Sequence, residues 1–363
     1  MTRIARRTAL LAGASAAVAA PFPAPRVARA ETPIRWRMVT SWPENLPGPG
    51  VSARRVAERI EALTGGRLQV QLYPAGTLVP AFETMDAVGS GTAEMAHTAA
   101  VFWSGILPAA PFFLAVPFGL VPHEHDAWIG RGGGQELWDA YYADLGVKPY
   151  LAGNTGMSLG GWFRRPLEGP DDLRGLRFRM PGFGGVMYEP FGIVQVSLPP
   201  GETLPALQSG AIDAAEFAGP ASDLPLGFYQ AAPYYYWPGI HEPNGTGEAL
   251  VNRRALDALP DDLKAAVAHA CATENAVAQA EAELMNTAAL AKLTGDLGVE
   301  LKRFPQSIVD IAREAAAGLV ADFAARDGLE GRIARSYRDF LDQQALWSRI
   351  SLEAFLADRG GVA

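Results

Sequence analysis

The sequence predicts an α/β chain of two lobes. Each lobe is built on a parallel-type sheet, one long helix lies along both, and further helices follow at the C-terminus. Three observations carry this expectation. Short alternating apolar stretches recur between helical ones over residues 31–152 and again over 153–238, the βαβα rhythm of a doubly wound sheet. A glycine-rich crossing, Asn154-Thr-Gly-Met-Ser-Leu-Gly-Gly-Trp-Phe163, separates the two runs. After Pro260 no glycine or proline interrupts the chain until Gly295. At about 1.5 Å per residue, such a helix reaches about 50 Å.

The chain opens with Arg6-Arg7, then the apolar run Thr8–Ala20, three prolines, and Ala28-Arg-Ala30. That run is shorter than the ~20 residues a membrane span needs. It reads as an export signal over residues 1–30, with the paired arginines favouring the twin-arginine type over the Sec type. Ile34–Thr40 alternates as a first strand, and Val51–Thr64 carries an apolar helical stripe ended by Gly65-Gly66. Leu68–Tyr73 is a second strand, followed by a helix near Ala81–Val88 and a short segment at Ala93–Thr98. The apolar run Pro108–Pro122 holds too many prolines for a helix and is expected to be buried, irregular and strand-like. A helix over Gln135–Leu145 and a strand at Val147–Leu151 complete the first lobe (31–152). In the second lobe (153–238), Leu176–Met180 is a strand, Glu202–Ser209 a helix, and Gly210–Gly219 a turn and strand ending at Glu216-Phe217. Residues 239–260 return to the first lobe and 261–295 form the long helix. Residues 296–363 supply a strand and two helices, Ser307–Ala325 and Leu329–Ala357. Phe340, Leu341, Leu346, Trp347, Ile350, Leu352 and Phe355 give the last helix more apolar surface than a solvated tail needs, so it either folds back or packs on another subunit.

Composition narrows the function. The chain has 363 residues, 49% hydrophobic and 19% charged, which is a globular and not a disordered balance. Without the five arginines of the first thirty residues, 26 basic side chains face 39 acidic ones, a net charge of −13. Such a surface argues against nucleic acid as a partner. The single cysteine, Cys271, allows no internal disulfide.

The residue weighed most heavily is Arg179, at the end of the strand Arg177-Phe-Arg and just before Pro181-Gly-Phe-Gly-Gly185. A guanidinium at a strand end beside bare glycine backbone is shaped to grip a carboxylate through paired hydrogen bonds. Taken alone, the stretch fits an ordinary exposed arginine better, since isolated arginines usually face water; the rest of the chain reverses that balance. Ligands in doubly wound sheets sit at the carboxyl ends of strands, which makes Trp42, Thr98, Phe102 and Trp103 candidate cleft walls, with Trp103 the better candidate of the last two.

The mature chain resembles the solute-binding proteins of tripartite ATP-independent periplasmic (TRAP) transporters, closest to the branch that binds 2-oxo acids. The resemblance rests on Arg35-Trp-Arg-Met, Leu63-Thr-Gly-Gly, Asp86-Ala-Val, Asn154-Thr-Gly, Gly160-Gly-Trp-Phe, Ile212-Asp-Ala and Tyr234-Tyr-Tyr-Trp-Pro-Gly239 in a consistent order. It implies a non-enzymatic, two-lobed periplasmic-binding-protein fold that closes on a small carboxylate and delivers it to membrane subunits. Arg179 takes the place of the arginine that pairs with the ligand carboxylate, with Asn154, Ser158 and Phe183 in the expected ligand site. A bridging Na⁺ or Ca²⁺ is implied, with Glu216, the carbonyl of Phe217 and Glu242 as its ligands. No organic cofactor is implied, and the closest branch forms dimers through the C-terminal helix. Two positions depart from the oxo-acid pattern: Ser158 stands for a glutamine and Phe217 for a tryptophan. The first departure predicts a ligand larger than pyruvate, or one carrying an extra polar group.

Rival readings are a metal-dependent enzyme and a ligand sensor on the same fold. His123-Glu-His125-Asp126 and His241-Glu242 gather potential metal ligands, but no H-E-x-x-H motif is present. Pro122 places the first group in an expected surface loop. Ser158 lacks the nucleophile-elbow context, and Gly130–Gly134 lacks the lysine of a phosphate loop, so it is expected to be a helix-entry turn.

Overall fold

A computed structural model of the chain describes residues 32–360; the export signal expected over residues 1–30 lies outside them. The first lobe runs β1 (Ile34–Thr40), α1 (Pro49–Leu63), β2 (Leu68–Tyr73), α2 (Thr84–Ser90), β3 (Met95–Thr98), α3 (Pro122–Arg131), α4 (Gly134–Tyr141) and β4 (Val147–Asn154). The second holds β5 (Gly161–Phe163), β6 (Arg177–Arg179), α5 (Gly182–Tyr188), β7 (Val194–Val196), α6 (Pro200–Ser209), β8 (Ala214–Ala215), α7 (Pro220–Leu226) and β9 (Tyr234–Trp237). The chain returns through β10 (Thr246–Asn252) and α8 (Arg253–Asp257). It then continues as α9 (Asp261–Gly295), β11 (Glu300–Arg303), α10 (Gln306–Ala324), α11 (Gly328–Ser348) and α12 (Ala354–Asp358).

Two sheets result, ordered β2-β1-β3-β10-β4 and β11-β9-β5-β8-β6-β7. In each sheet one strand runs against its neighbours, β10 in the first and β5 in the second. Both are the first strands after a crossing. A chain that leaves one sheet at the cleft enters the other from the cleft. It must therefore run opposite to strands that end there.

Local chemistry fixes the element ends. Proline opens α1, where its missing N–H costs nothing. The Thr64 hydroxyl closes that helix by donating to the Ile60 carbonyl (2.8 Å), and it also accepts from the Leu68 amide (3.2 Å), which launches β2. Helix α9 is 35 residues long. Its first half places Leu263, Val267, Ala270 and Cys271 in the core of the first lobe, and its end places Leu293 in the core of the second. Glu274, midway along it, is fully buried and receives Arg55 (2.7 Å) and Arg59 (3.3 Å) from α1. Among the described residues, no helix is long and apolar enough to cross a membrane.

Three expectations need correction. Pro108–Pro122 is buried but contains no strand: a 3₁₀ turn at Ala110–Phe113 fills its centre, because four prolines deny it a ladder of N–H donors. There Phe113 stacks between Trp128 and Trp138, with ring centroids 5.8 and 5.2 Å away. The residues around His123–Asp126 form helix α3, not a surface loop. Pro122 is its opening proline, and Glu124 accepts from the Val121 amide (3.0 Å) as an N-terminal cap. The last helix is broken by a π-turn at Arg349–Glu353 before α12, so Leu329–Ala357 is not one rod.

Candidate ligand-binding cleft

The carboxyl ends of β1, β3 and β4 face those of β6 and β8 across a cleft, and the start of β10 arrives at the same edge. Between them lies a largely apolar cavity. Concave, mostly apolar sites of this kind are where small organic ligands bind. The first lobe's strands and loops line it with Trp42, His97, Val101, Phe102, Leu114 and Thr246, the second lobe's with Arg179, Pro181, Phe217 and Ala218, and the two crossing segments add Asn154 and Glu242. The lobes meet around it: the Trp42 and Phe217 rings lie 6.3 Å apart, edge to face, and the Ser222 hydroxyl donates to the Pro47 carbonyl (2.9 Å).

Arg179 ends β6, is 1% exposed, and points into the cavity. Its Nε donates to the Leu198 carbonyl (3.1 Å) and its Nη1 to the Glu216 carbonyl. Among the described residues Nη2 forms no hydrogen bond, so one edge of a rigidly held guanidinium stays free. The Phe217 ring lies 5.7 Å from the guanidinium carbon. Burial pulls the guanidinium pKa down while Glu216, Glu242 and Asp223 oppose it; an arginine so placed stays charged.

Behind Arg179 sit Glu216, 1% exposed, and His241, 3% exposed, with Glu242 next in the chain and partly exposed. The Pro238–Glu242 turn, closed by Ile240 N to Pro238 O (2.9 Å) and Glu242 N to Gly239 O (3.2 Å), delivers both side chains. Glu216 Oε1 is 3.5 Å from His241 Nε2, and Glu216 Oε2 is 4.0 Å from Arg179 Nη1. Ligand atoms of Glu216, His241 and Glu242 all lie within 4.8 Å of one another. Burial raises the Glu216 carboxyl, but His241 and Arg179 outweigh it and hold it below the usual carboxylate range. Burial and then the Glu216 charge push Glu242 well above that range. Neither Glu216 oxygen has a hydrogen-bond partner, and among the described residues no donor reaches the Phe217 carbonyl. Buried, unpaired oxygens of this kind fit a hard cation. Asp223 supports the loop from below: it accepts from Ala218 N (3.2 Å), Trp162 Nε1 (2.8 Å) and Tyr235 OH (2.8 Å). Burial pushes its carboxyl up to about 7.

Of the residues expected at the site, Trp42, Phe102, Asn154, Arg179, Phe217 and Glu242 line the cavity. Glu216 stands just behind it. Trp103 does not line it: the indole is buried and donates to Glu248, so Phe102 is the wall and Trp103 the core residue. Thr98 is also behind the wall, bonded to Ser41 (2.7 Å). Phe183 packs into the first lobe's core against Phe112, ring centroids 5.0 Å apart. Ser158 is buried away from the cavity lining, its hydroxyl without a partner. His97 and His241 were not expected at the site. His97 is the penultimate residue of the short buried strand Met95–Thr98 and carried no distinct signal; His241 was visible only beside Glu242. His97 Nδ1 accepts from Trp42 Nε1 (2.8 Å), so its Nε2 carries the proton and donates to the Ala152 carbonyl (2.9 Å). Burial lowers its pKa to about 4. Both nitrogens are committed, which leaves no general base there.

Comparison with known proteins agrees with this geometry. Residues 39–327 match the family described as bacterial extracellular solute-binding protein, family 7 (DctP). The monocarboxylate 2-oxoacid-binding periplasmic protein of Nostoc sp. PCC 7120 is 36% identical over 318 residues, 88% of this chain and 87% of that protein. A TRAP solute-binding protein from Bordetella bronchiseptica, a mixed-occupancy dimer with calcium and picolinate bound at one site, superposes with a TM-score of 0.86 at 35% identity, covering 89% of this chain and 96% of that one. One from Pseudoalteromonas atlantica with sodium and pyruvate gives 0.87 at 33%, covering 90% and 99%. With matched family residues over most of its length and relatives at this identity, the chain belongs to the DctP family of TRAP solute-binding proteins.

Proposed function

We propose that this protein is exported to the periplasm and captures a small 2-oxo or 2-hydroxy monocarboxylate for a TRAP transporter's membrane subunits. Arg179 holds the ligand carboxylate, and a cation at Glu216, Glu242 and the Phe217 carbonyl bridges ligand and protein. The observation that carries the reading is the buried Arg179 guanidinium, bonded to two backbone carbonyls with one free edge toward an apolar cavity. Calcium with picolinate and sodium with pyruvate in relatives support the pairing of carboxylate and cation. Affinity comes from the guanidinium and the cation, and specificity from the Val101, Phe102 and Leu114 wall. The expected ligand larger than pyruvate draws no support from Ser158, which lies off the cavity lining.

The lobes divide as 31–152 with 239–260 against 153–238, and closure between them is the signal to the membrane partner. The role is binding and not turnover, with His97 fixed as a neutral hydrogen-bonding wall. The exposed Leu346 and Trp347 of α11, Ile350 of the following turn and Phe355 of α12 support a homodimer.

A thermal-shift series on refolded, ligand-stripped protein tests the reading. Pyruvate and longer 2-oxo and 2-hydroxy acids, each with Na⁺, Ca²⁺ or chelator, are expected to raise the melting temperature only when cation is present. No shift with any carboxylate, whatever the cation, overturns it.

A further inference from the structure

Glu248 on β10 is an acid inside the first lobe, buried between Thr98 of β3 and Leu151 of β4. The ladder to β4 slips between Thr246 and Glu248, a bulge that carries Gly247. Bulges re-aim the side chains beside them. Thr246 and Gly247 line the cavity, whereas the Glu248 carboxyl lies behind it and accepts from Trp103 Nε1. Its second oxygen, Tyr142 OH and Trp138 Nε1 have no hydrogen-bond partner among the described residues. A carboxyl buried for a single bond is a costly way to accept an indole N–H, so the bond contributes position and not stability. That position matters to the cleft. Trp103 closes the 3₁₀ turn Ala100–Trp103, which has no side-chain cap and carries the wall residues Val101 and Phe102. Phe102 leans on the Phe82 and Trp42 rings, centroids 4.8 and 5.8 Å away. On the other side the turn meets the second lobe: a Cβ at Gly182 of α5 would stand 2.8 Å from Val101 Cγ1.

We infer that Glu248 is a positioning residue for ligand specificity. Through Trp103 it sets how far Val101 and Phe102 project into the cleft, and so the length of 2-oxo or 2-hydroxy acid that fits. The inference rests on the receptor reading above and adds the residue that tunes its choice of ligand. Ring contacts are non-directional and let Phe102 slide, whereas a hydrogen bond to a buried acceptor fixes both distance and angle. With that bond cut, the wall is free to retreat toward β10 and a longer chain gains room. Burial pushes the Glu248 carboxyl up to about 8, so at neutral pH it is an uncharged acceptor that glutamine copies in shape and charge. Glu248→Leu removes the acceptor. Trp103→Phe removes the donor and keeps most of the ring.

The test is isothermal titration of the refolded, ligand-stripped full chain with pyruvate and with 2-oxohexanoate at saturating cation. The readout is the ratio of the two Kd values, which a general loss of stability does not move. Trp103→Phe and Glu248→Leu are each expected to shift that ratio toward the longer acid by about fivefold, the equivalent of one hydrogen bond. The double variant is expected to shift it no further than either single one, because both cut the same bond. Glu248→Gln is expected to keep the wild-type ratio within about twofold. A Trp103→Phe ratio within about twofold of wild type overturns the inference. So does Glu248→Gln shifting the ratio as far as Trp103→Phe does, or a weakening of both acids alike in every variant. If Glu248→Leu does not fold, Trp103→Phe and Glu248→Gln still decide between these outcomes. Wild-type binding with an unmoved ratio in the variants sinks this inference alone, while a wild type that binds no carboxylate sinks the receptor reading as well.

Discussion

Arg179→Ala removes the free guanidinium edge and leaves Glu216 facing the cavity without its cation partner 4.0 Å away. That attraction, about 4 kcal/mol for an effective dielectric near 20 before desolvation is subtracted, acts with and without ligand and so bears on stability; the loss of affinity comes from the ligand carboxylate left without its guanidinium. Cutting one member of a buried charge pair costs about 3–5 kcal/mol in comparable interfaces. About 4 kcal/mol is close to a thousandfold in Kd. Arg179→Lys separates charge from shape. An ammonium keeps the charge but cannot satisfy the Leu198 and Glu216 carbonyls and a ligand at once. Losing two such bonds at about 1 kcal/mol each predicts a loss of about thirtyfold. Isothermal titration with pyruvate at saturating cation measures both variants, and the ligand-free melting temperature reports whether the fold has suffered. An Arg179→Ala protein that still folds and binds within tenfold of wild type refutes the assigned role. A lysine variant as tight as wild type shows that charge alone suffices.

Glu248 on β10 is buried, and its carboxyl is pushed up to about 8 by burial, against the opposing hydrogen bonds of Trp103 and Tyr142. Between the ordinary carboxylate pKa and 8 the folded chain binds one more proton than the unfolded chain, so stability falls as pH rises through that window and levels off above it. Glu248→Gln is expected to gain melting temperature relative to wild type from pH 5 to pH 8; a difference that is constant across pH refutes the assignment. Trp347, 63% exposed, and Phe355, 60% exposed, crown the C-terminal apolar surface. Changing both to glutamate is expected to convert a dimer to a monomer in sedimentation at micromolar concentration. A wild-type chain already monomeric there removes the proposed contact.

Much of the fold was legible because its signals are local. Alternation marked β1 and β2, and the uninterrupted run after Pro260 marked α9. What stayed hidden depends on contacts distant in sequence. The opposed direction of β5 and β10 follows from where the crossings enter each sheet, which no single stretch records. α3 was misread because Pro122 serves equally as a loop residue and as a helix opener. At the site, Arg179 was singled out by type and context, and Glu216 and Glu242 by the family resemblance. Trp103 and Phe102 were ranked the wrong way round because adjacent aromatics on a 3₁₀ turn point to opposite sides, and only the fold says which side is empty. His241 was visible as a neighbour of Glu242, but its approach to Glu216 depends on a turn closing across 25 residues of chain.

Helix α9 has a consequence for motion. It is anchored to α1 through Glu274, and Asn286 holds both Thr155 O (3.1 Å) at the crossing and Ala221 N (2.9 Å) on α7. Its last turn seats Leu293 in the second lobe. A stiff chord fastened at both ends and at the joint removes sliding and torsion as soft modes and leaves bending about one line. On the closure proposed above, ligand occupancy is expected to move the molecule along that one coordinate, so that a membrane-bound reader meets two silhouettes in place of a continuum.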